Sequence, residues 1–319
     1  MVKNRLPELI HLKDSAYKVD KRNEMNTLTR LAVVSLLFGF LFCSTGLNAF
    51  GNSLATGYGA VESSSRIDWQ NGTFILTVNY RPNQTEKPLP GQRSTAEATI
   101  SRHLPTLFIE EISKVKIDSR TSIAEAIVEW PTLATEFQKL ATTGKIVSSY
   151  FTDDFSEFRR IYHYNIYPQI ASLFIIHTRS SSQTEELTYV AGGRYSGIVI
   201  YVNDPLKIFE THTKGSLEPA IFPRVYNENT DLLIDMRMID PEVLKVKGML
   251  RYYHTSQLDA IQSRVGEVPM YVHATALFGV HSTDLIVSQR AARKIKASRH
   301  TLSLIKEGKI AIVSETRLR

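Results

Sequence analysis

The chain has 319 residues, of which 43% are hydrophobic and 22% charged, the proportions of a globular protein rather than a disordered or fibrous one. Its net charge is +6 with an isoelectric point near 9.2; half of that excess sits in the first 49 residues, and what is left is too mild to point to nucleic acid. A single cysteine, Cys43, excludes an intrachain disulfide, and its loss with a leader would exclude thiol catalysis and thiolate metal sites as well.

The first element in chain order is that leader. Arg30 precedes an uncharged, largely apolar run, Leu31–Cys43, followed by Ser44-Thr45-Gly46-Leu47-Asn48-Ala49. A positive flank, a short apolar core and small residues at its exit predict a secretory signal. Residues 25–49 are read as the signal peptide, cleaved after Ala49, with Met25 as the start of translation and residues 1–24 as an N-terminal extension. Two alternatives stand beside this: an uncleaved anchor over Leu31–Phe50, uncharged and just long enough to span a bilayer, and a lipid on Cys43. The expected location is the periplasm.

Residues 50–65 are small and polar and read as a linker. Arg66–Tyr80 reads as a β-hairpin turning at Asn71-Gly72, with Phe74, Leu76 and Val78 on one face. Thr95–Val115 is predicted helical, kinked at Pro105. A second helix over Ile123–Ala141 is split by Pro131 and stopped by Gly144. Lys145–Phe151 and Glu157–Tyr167 are β-forming. Trp69 and Trp130, each among apolar neighbours, are expected in the core.

The polar stretch Arg179–Glu186 is taken as a boundary. Beyond it, strands are expected at Tyr195–Val202, at two segments of Leu217–Ile239, at Met249–Tyr253, Met270–Phe278, Asp284–Val287 and Lys309–Val313. Helices are expected at Pro241–Lys247 and Ser288–Ser298. The fold class is α+β: two small mixed domains, 66–179 and 180–319, with mostly antiparallel sheets and helices packed on one face.

No linear motif assigns chemistry. The nine histidines include no zinc-protease pair; His254, His273 and His281 are the one group worth checking for a hydrolase. Ala191–Gly197 lacks the Gly-Lys-Ser/Thr of a phosphate loop, and no nucleophile elbow surrounds Ser196. The acidic pairs Asp153-Asp154, Glu110-Glu111 and Glu185-Glu186 read as solubilising, and the basic run Arg290–Arg299 as the solvated face of a helix. No catalytic, cofactor-binding or metal-binding residue is assigned, and no cofactor is expected.

Two runs, Tyr195-Ser-Gly-Ile-Val-Ile-Tyr-Val and Leu217-Glu-Pro-Ala-Ile-Phe-Pro-Arg-Val-Tyr-Asn-Glu-Asn, together with the closing segments Val280–Ser288 and Lys294–Val313, resemble bacterial flagellar accessory proteins of the FlgP/FlgT type. Longer stretches at Asn203–Ser216 and Arg237–Arg264 suggest a variant of the spirochaete periplasmic kind. The resemblance implies a non-catalytic periplasmic envelope protein that builds or braces a ring or collar at the flagellar motor. Its partners would be envelope proteins, including flagellar basal-body components, and further copies of itself; membrane or peptidoglycan would lie nearby, and nucleic acid would not be a partner. Two other functions stay open: a regulatory binding module acting on cell-wall synthesis enzymes, and a hydrolase whose site is not a linear motif.

Overall fold

A computed structural model describes residues 53–56, 59–82, 91–181, 184–185, 193–316 and 318. The apolar segment Leu31–Cys43 and the expected cleavage point after Ala49 lie outside the described residues.

The hairpin forms where Asn71-Gly72 places it. The Asn71 backbone N–H donates to Asp68 Oδ1 at 3.0 Å and its side-chain amide to Oδ2 at 2.7 Å. Gly72 takes φ +66°, a conformation that side chains with a Cβ rarely adopt. Strands β2 (Gly59–Asp68) and β3 (Thr73–Pro82) run antiparallel from this turn, with β1 (Ser53–Thr56) outside β2. β4 (Lys145–Phe151) and β5 (Phe158–Asn165) complete the order β1-β2-β3-β5-β4, each pair antiparallel.

The linker reading of residues 50–65 is corrected here, because much of the stretch is β1 and the greater part of β2. Its serines disguise a strand. Val61, Ser63, Ser65 and Ile67 pair with the core-facing residues Tyr80, Val78, Leu76 and Phe74 of β3. Ser63 and Ser65 donate to the carboxylate of Glu111 at 3.2 and 2.7 Å, and Lys114 reaches it at 2.8 Å. Glu111 is only 3% exposed, and a carboxylate that deep needs such donors. It is therefore a core residue, not the solubilising one its pair suggested.

Three helices cover the inner face: α1 (Gln92–Ile112), α2 (Ile123–Glu129) and α3 (Thr132–Ala141). On α1, Ala96, Ile100, Leu104, Leu107, Phe108 and Ile112 recur at helical spacing and are buried. The helix runs on through Pro105; the missing N–H would have met the carbonyl of Ser101, which is solvent-exposed. A capping box starts α2: Ser122 N–H donates to Glu125 Oε2 at 2.6 Å, and Glu125 N–H to Ser122 Oγ at 3.3 Å. The break before α3 falls at Pro131 as predicted, and it leaves Trp130 at the end of α2. Trp130 is 44% exposed, against the expectation of burial, whereas Trp69 is buried. Phe108 centres the core, with ring centroids 4.5 Å from Tyr164, 5.8 Å from Phe74 and 6.4 Å from Phe137.

The second domain holds β6 (Ile198–Val202), β7 (Leu206–Ile208), β8 (Lys214–Gly215), β9 (Val225–Asn227), β10 (Leu232–Ile234), α4 (Pro241–Lys247), β11 (Arg251–His254), α5 (Leu258–Val265), β12 (Met270–Phe278), β13 (Asp284–Val287), α6 (Gln289–Ile295), α7 (Arg299–Lys306) and β14 (Ile310–Ser314). Its sheet runs β10-β9-β13-β12-β6-β14-β11, with β7 beside β12 and β8 beside β7.

The α+β class with two domains is what the structure shows. The antiparallel expectation describes the first sheet; the second departs from it. β6 pairs parallel with both β12 and β14, β14 with β11, β13 with β9, and β12 with β7. The reason lies in burial. Ile-Val-Ile-Tyr-Val of β6 and Ile-Ala-Ile-Val-Ser of β14 are apolar on both faces, as parallel strands with two covered faces are. Ile198, Ile200, Val202, Ile310 and Ile312 face the core shared with the first domain, while Val199, Tyr253, Ala311 and Val313 pack under Ile261 and Val265 of α5.

A seam of backbone and charge contacts joins the domains. Ile221 and Phe222 N–H donate to the carbonyls of Lys116 and Ile117 at 3.0 and 2.8 Å, and His281 N–H to that of Ser119 at 3.2 Å. Arg224 pairs with Asp118 at 2.9 Å, and Lys116 pairs with Glu218. The irregular run Leu217–Arg224, singled out in the sequence, is this seam.

Candidate functional site: a cationic cleft between the domains

The junction is built around Tyr167, which leaves the first domain in the helical turn Ile166–Ile170 after β5. Its ring is 1% exposed, and burial pushes its phenol pKa up. A Cβ on Gly72 would lie 2.7 Å from the ring, and one on Gly248 would lie 2.1 Å from it on the other side. Gly248 also has φ +74°. A turn glycine from each domain therefore clasps one tyrosine, whose hydroxyl donates to Leu250 O at 3.4 Å. Beside it Trp69 meets Tyr252 edge to face, centroids 5.5 Å apart.

Two arginines stand on this base. Arg251, at the start of β11, lies with Cζ 4.0 Å from the centroid of the Tyr167 ring, a cation–π contact. Its Nη1 is buried and has no hydrogen-bond partner. Arg264, in the last turn of α5, donates through Nη1 to Lys247 O at 2.9 Å and through Nη2 to Gly248 O at 2.7 Å. It thereby closes the carbonyl end of α4, where a cation is favoured. Its Nε is buried and unpartnered. Desolvation first, and then the charge of Arg251, push the Arg264 guanidinium down to about 10.

These arginines line a cleft of about 390 Å³. Gln70 and Asn71 of the hairpin turn form one wall; Lys247, Ser263 and the segment Glu307–Lys309 form the others. Lys309 is paired with Glu307 at 2.7 Å. Among the described residues no carboxylate pairs with Arg251 or Arg264, so the cleft carries uncompensated positive charge. Chemically it can hold an anion.

The histidine group is not brought together. His273 on β12 is level with Tyr201 of β6, Tyr201 with Val313 of β14, and Val313 with Tyr253 of β11, next to His254. Three inter-strand steps of about 4.8 Å put His254 and His273 roughly 14 Å apart. His254 Nε2 lies 2.9 Å from Glu315 O, and His273 stacks on Tyr201 at 5.6 Å. His281 sits in the loop after β12, with Nε2 4.0 Å from Glu125 Oε2. Among the described residues no group of His, Cys, Asp or Glu is arranged to hold a metal ion, and no helix is long and apolar enough to cross a membrane.

The basic run Arg290–Arg299 is not one helix face. Ser288 caps α6, Ser298 caps α7, and the run is divided between them. Lys294 Nζ lies 4.9 Å from the Tyr195 ring centroid, and Arg299 pairs with Glu185 at 3.6 Å.

Residues 60–173 match the family model described as the N-terminal domain of Treponema pallidum Tp0624, and residues 197–316 match the model described as its second domain. This chain is similar to Tp0624. The cleft lies between the two matched regions: Gln70 and Asn71 fall in the first, and Lys247, Arg251, Arg264 and Lys309 in the second. No curated protein matches the chain. The Tp0624 matches agree with a spirochaete kinship and add no support for the flagellar accessory type.

Proposed function

We propose that this chain is a non-catalytic envelope protein, a structural or assembly component that acts as a stiff two-domain binding module. The observation that carries the reading is the clasp at the junction. Tyr167 held between Gly72 and Gly248, together with the seam from Lys116–Ser119 to Leu217–Arg224, ties two domains that are each large enough to fold alone. Two domains fused in this way hold their exposed surfaces at a fixed spacing, which suits a protein that positions others. The envelope location rests on the leader Leu31–Cys43, and the finer flagellar reading on the runs Tyr195–Val202 and Leu217–Asn229.

Fractionation of the source bacterium, with N-terminal sequencing and crosslinking, tests this. The expected result is a mature chain starting at Phe50, in the envelope fraction, crosslinked to itself or to other envelope proteins. A cytosolic monomer starting at Met1 overturns it. Recovery with basal bodies supports the flagellar reading, and an envelope pool free of basal-body proteins removes that reading alone.

A further inference from the structure

We propose that the junction cleft is a binding site for a phosphate monoester, either a soluble sugar phosphate or the headgroup of an anionic lipid. The inference rests on the reading of the chain as a binding module and does not depend on where in the cell it works.

Charge decides the ligand class. Arg251 and Arg264 line the same cleft, each half-buried, and among the described residues no carboxylate pairs with either. A pair of like charges in that position is unfavourable by itself and is relieved by an anion. Arg264 keeps its Nη groups on the carbonyls of Lys247 and Gly248, so Arg251 is the guanidinium that a charged oxygen in the cleft would meet first, through a charge-assisted hydrogen bond. With Lys309 already occupied by Glu307, Arg251, Arg264 and Lys247 remain. That surplus suits the two charges of a phosphate monoester better than the single charge of a carboxylate.

Size and lining decide the rest. A cleft of about 390 Å³ falls within the roughly 300–1,000 Å³ usual for small-molecule sites and has room for more than a phosphate. Gln70, Asn71 and Ser263 offer neutral donors and acceptors away from the arginines, suited to hydroxyl groups. Since the walls come from both domains, a bound ligand bridges them.

Calorimetric titration of the full-length purified protein tests the site, with inorganic phosphate, glucose 6-phosphate, glucose and acetate as probes. Sedimentation with vesicles of phosphatidic acid or of phosphatidylcholine separates the two ligand sources. Glucose 6-phosphate is expected to bind, phosphate more weakly, and glucose and acetate not measurably. Arg251→Gln should weaken binding by about tenfold or more. Removing the rim charge in Lys247→Ala should cost on the order of threefold. Sedimentation with phosphatidic acid alone, lost in Arg251→Gln, identifies the lipid source; binding of the sugar phosphate without vesicle binding identifies the soluble one. Failure of phosphate, glucose 6-phosphate and phosphatidic acid alike to bind overturns the proposal. So does wild-type affinity in Arg251→Gln or, should that variant fail to fold, in Lys247→Ala. None of these outcomes touches the envelope reading, which fractionation decides.

Discussion

The two sheets stabilise their strands by different means. In the first, β3 and β5 alternate: Phe74, Leu76 and Val78, with Tyr162 and Tyr164, go in under α1 and α3, while Thr77, Asn79 and His163 stay on the open side. In the second, β6 and β14 are apolar at nearly every position, because α5 covers one face and the shared core the other. A sheet with one wet face uses every second residue for stability. A sheet with two dry faces uses nearly all of them, and it tolerates polar change far less.

The largest effect that would break this comparison is expected where the two regions meet. Tyr167→Ala should cost about 3–5 kcal/mol. It should also divide a single denaturant transition into two, read by fluorescence of Trp69 against far-ultraviolet dichroism. A single transition at unchanged midpoint would mean that the domains are coupled elsewhere. Next, Ile312→Ala in β14 should cost about 2–5 kcal/mol in denaturant titration.

Two carboxylates sharpen the contrast through pH. Burial raises the pKa of Asp284 on β13, against hydrogen bonds from Ser119 and Arg224 that lower it. The folded state then favours the protonated acid, so the stability this group contributes is present at low pH and falls as pH rises above about 4. Asp154, in the exposed turn after β4, is held down to about 2 by Thr152 and Ser156. Its contribution is present above about 4 and is lost as pH falls toward 2. Melts of Asp284→Asn and Asp154→Asn against the wild type from pH 2 to 7 should therefore show differences of opposite slope. Parallel curves would mean that neither carboxylate differs between folded and unfolded chains. Ser122→Ala should remove about 1 kcal/mol with the capping box. At the small end, Thr77→Ala on the open face of β3 should stay within about 0.5 kcal/mol; a loss as large as that of Ile312→Ala would show the open face to be covered.

Much of this fold was legible residue by residue. Proline and glycine set the break at Pro131 and the turn at Asn71-Gly72, and Pro241–Lys247 and Met270–Phe278 were bounded by their own patterns. What local pattern could not show was burial that depends on a distant partner. Ser63 and Ser65 read as linker because their acceptor, Glu111, sits on α1. The continuous apolar runs of β6 and β14 did carry the signature of parallel strands, but their pairing was set by elements far away in sequence. The cleft had no local signal at all. Arg251 and Arg264 belong to a stretch that read as an insertion, α5 itself was not foreseen there, and only the fold sets both against a tyrosine from the other domain.

The position of β14 carries a consequence for how the chain is made. It lies between β6 and β11, yet it leaves the ribosome after every other strand of its sheet. Until then β6 and β11 have lost the neighbour that joins them, and two apolar strand edges stand open to any other chain. The first domain, whose strands all precede residue 166, can finish much earlier. A nascent or threading chain would thus hold one completed half and one with an unpaired gap at its middle. That interval is when a holding chaperone would matter most, and shortening the chain before Ile310 would make it permanent.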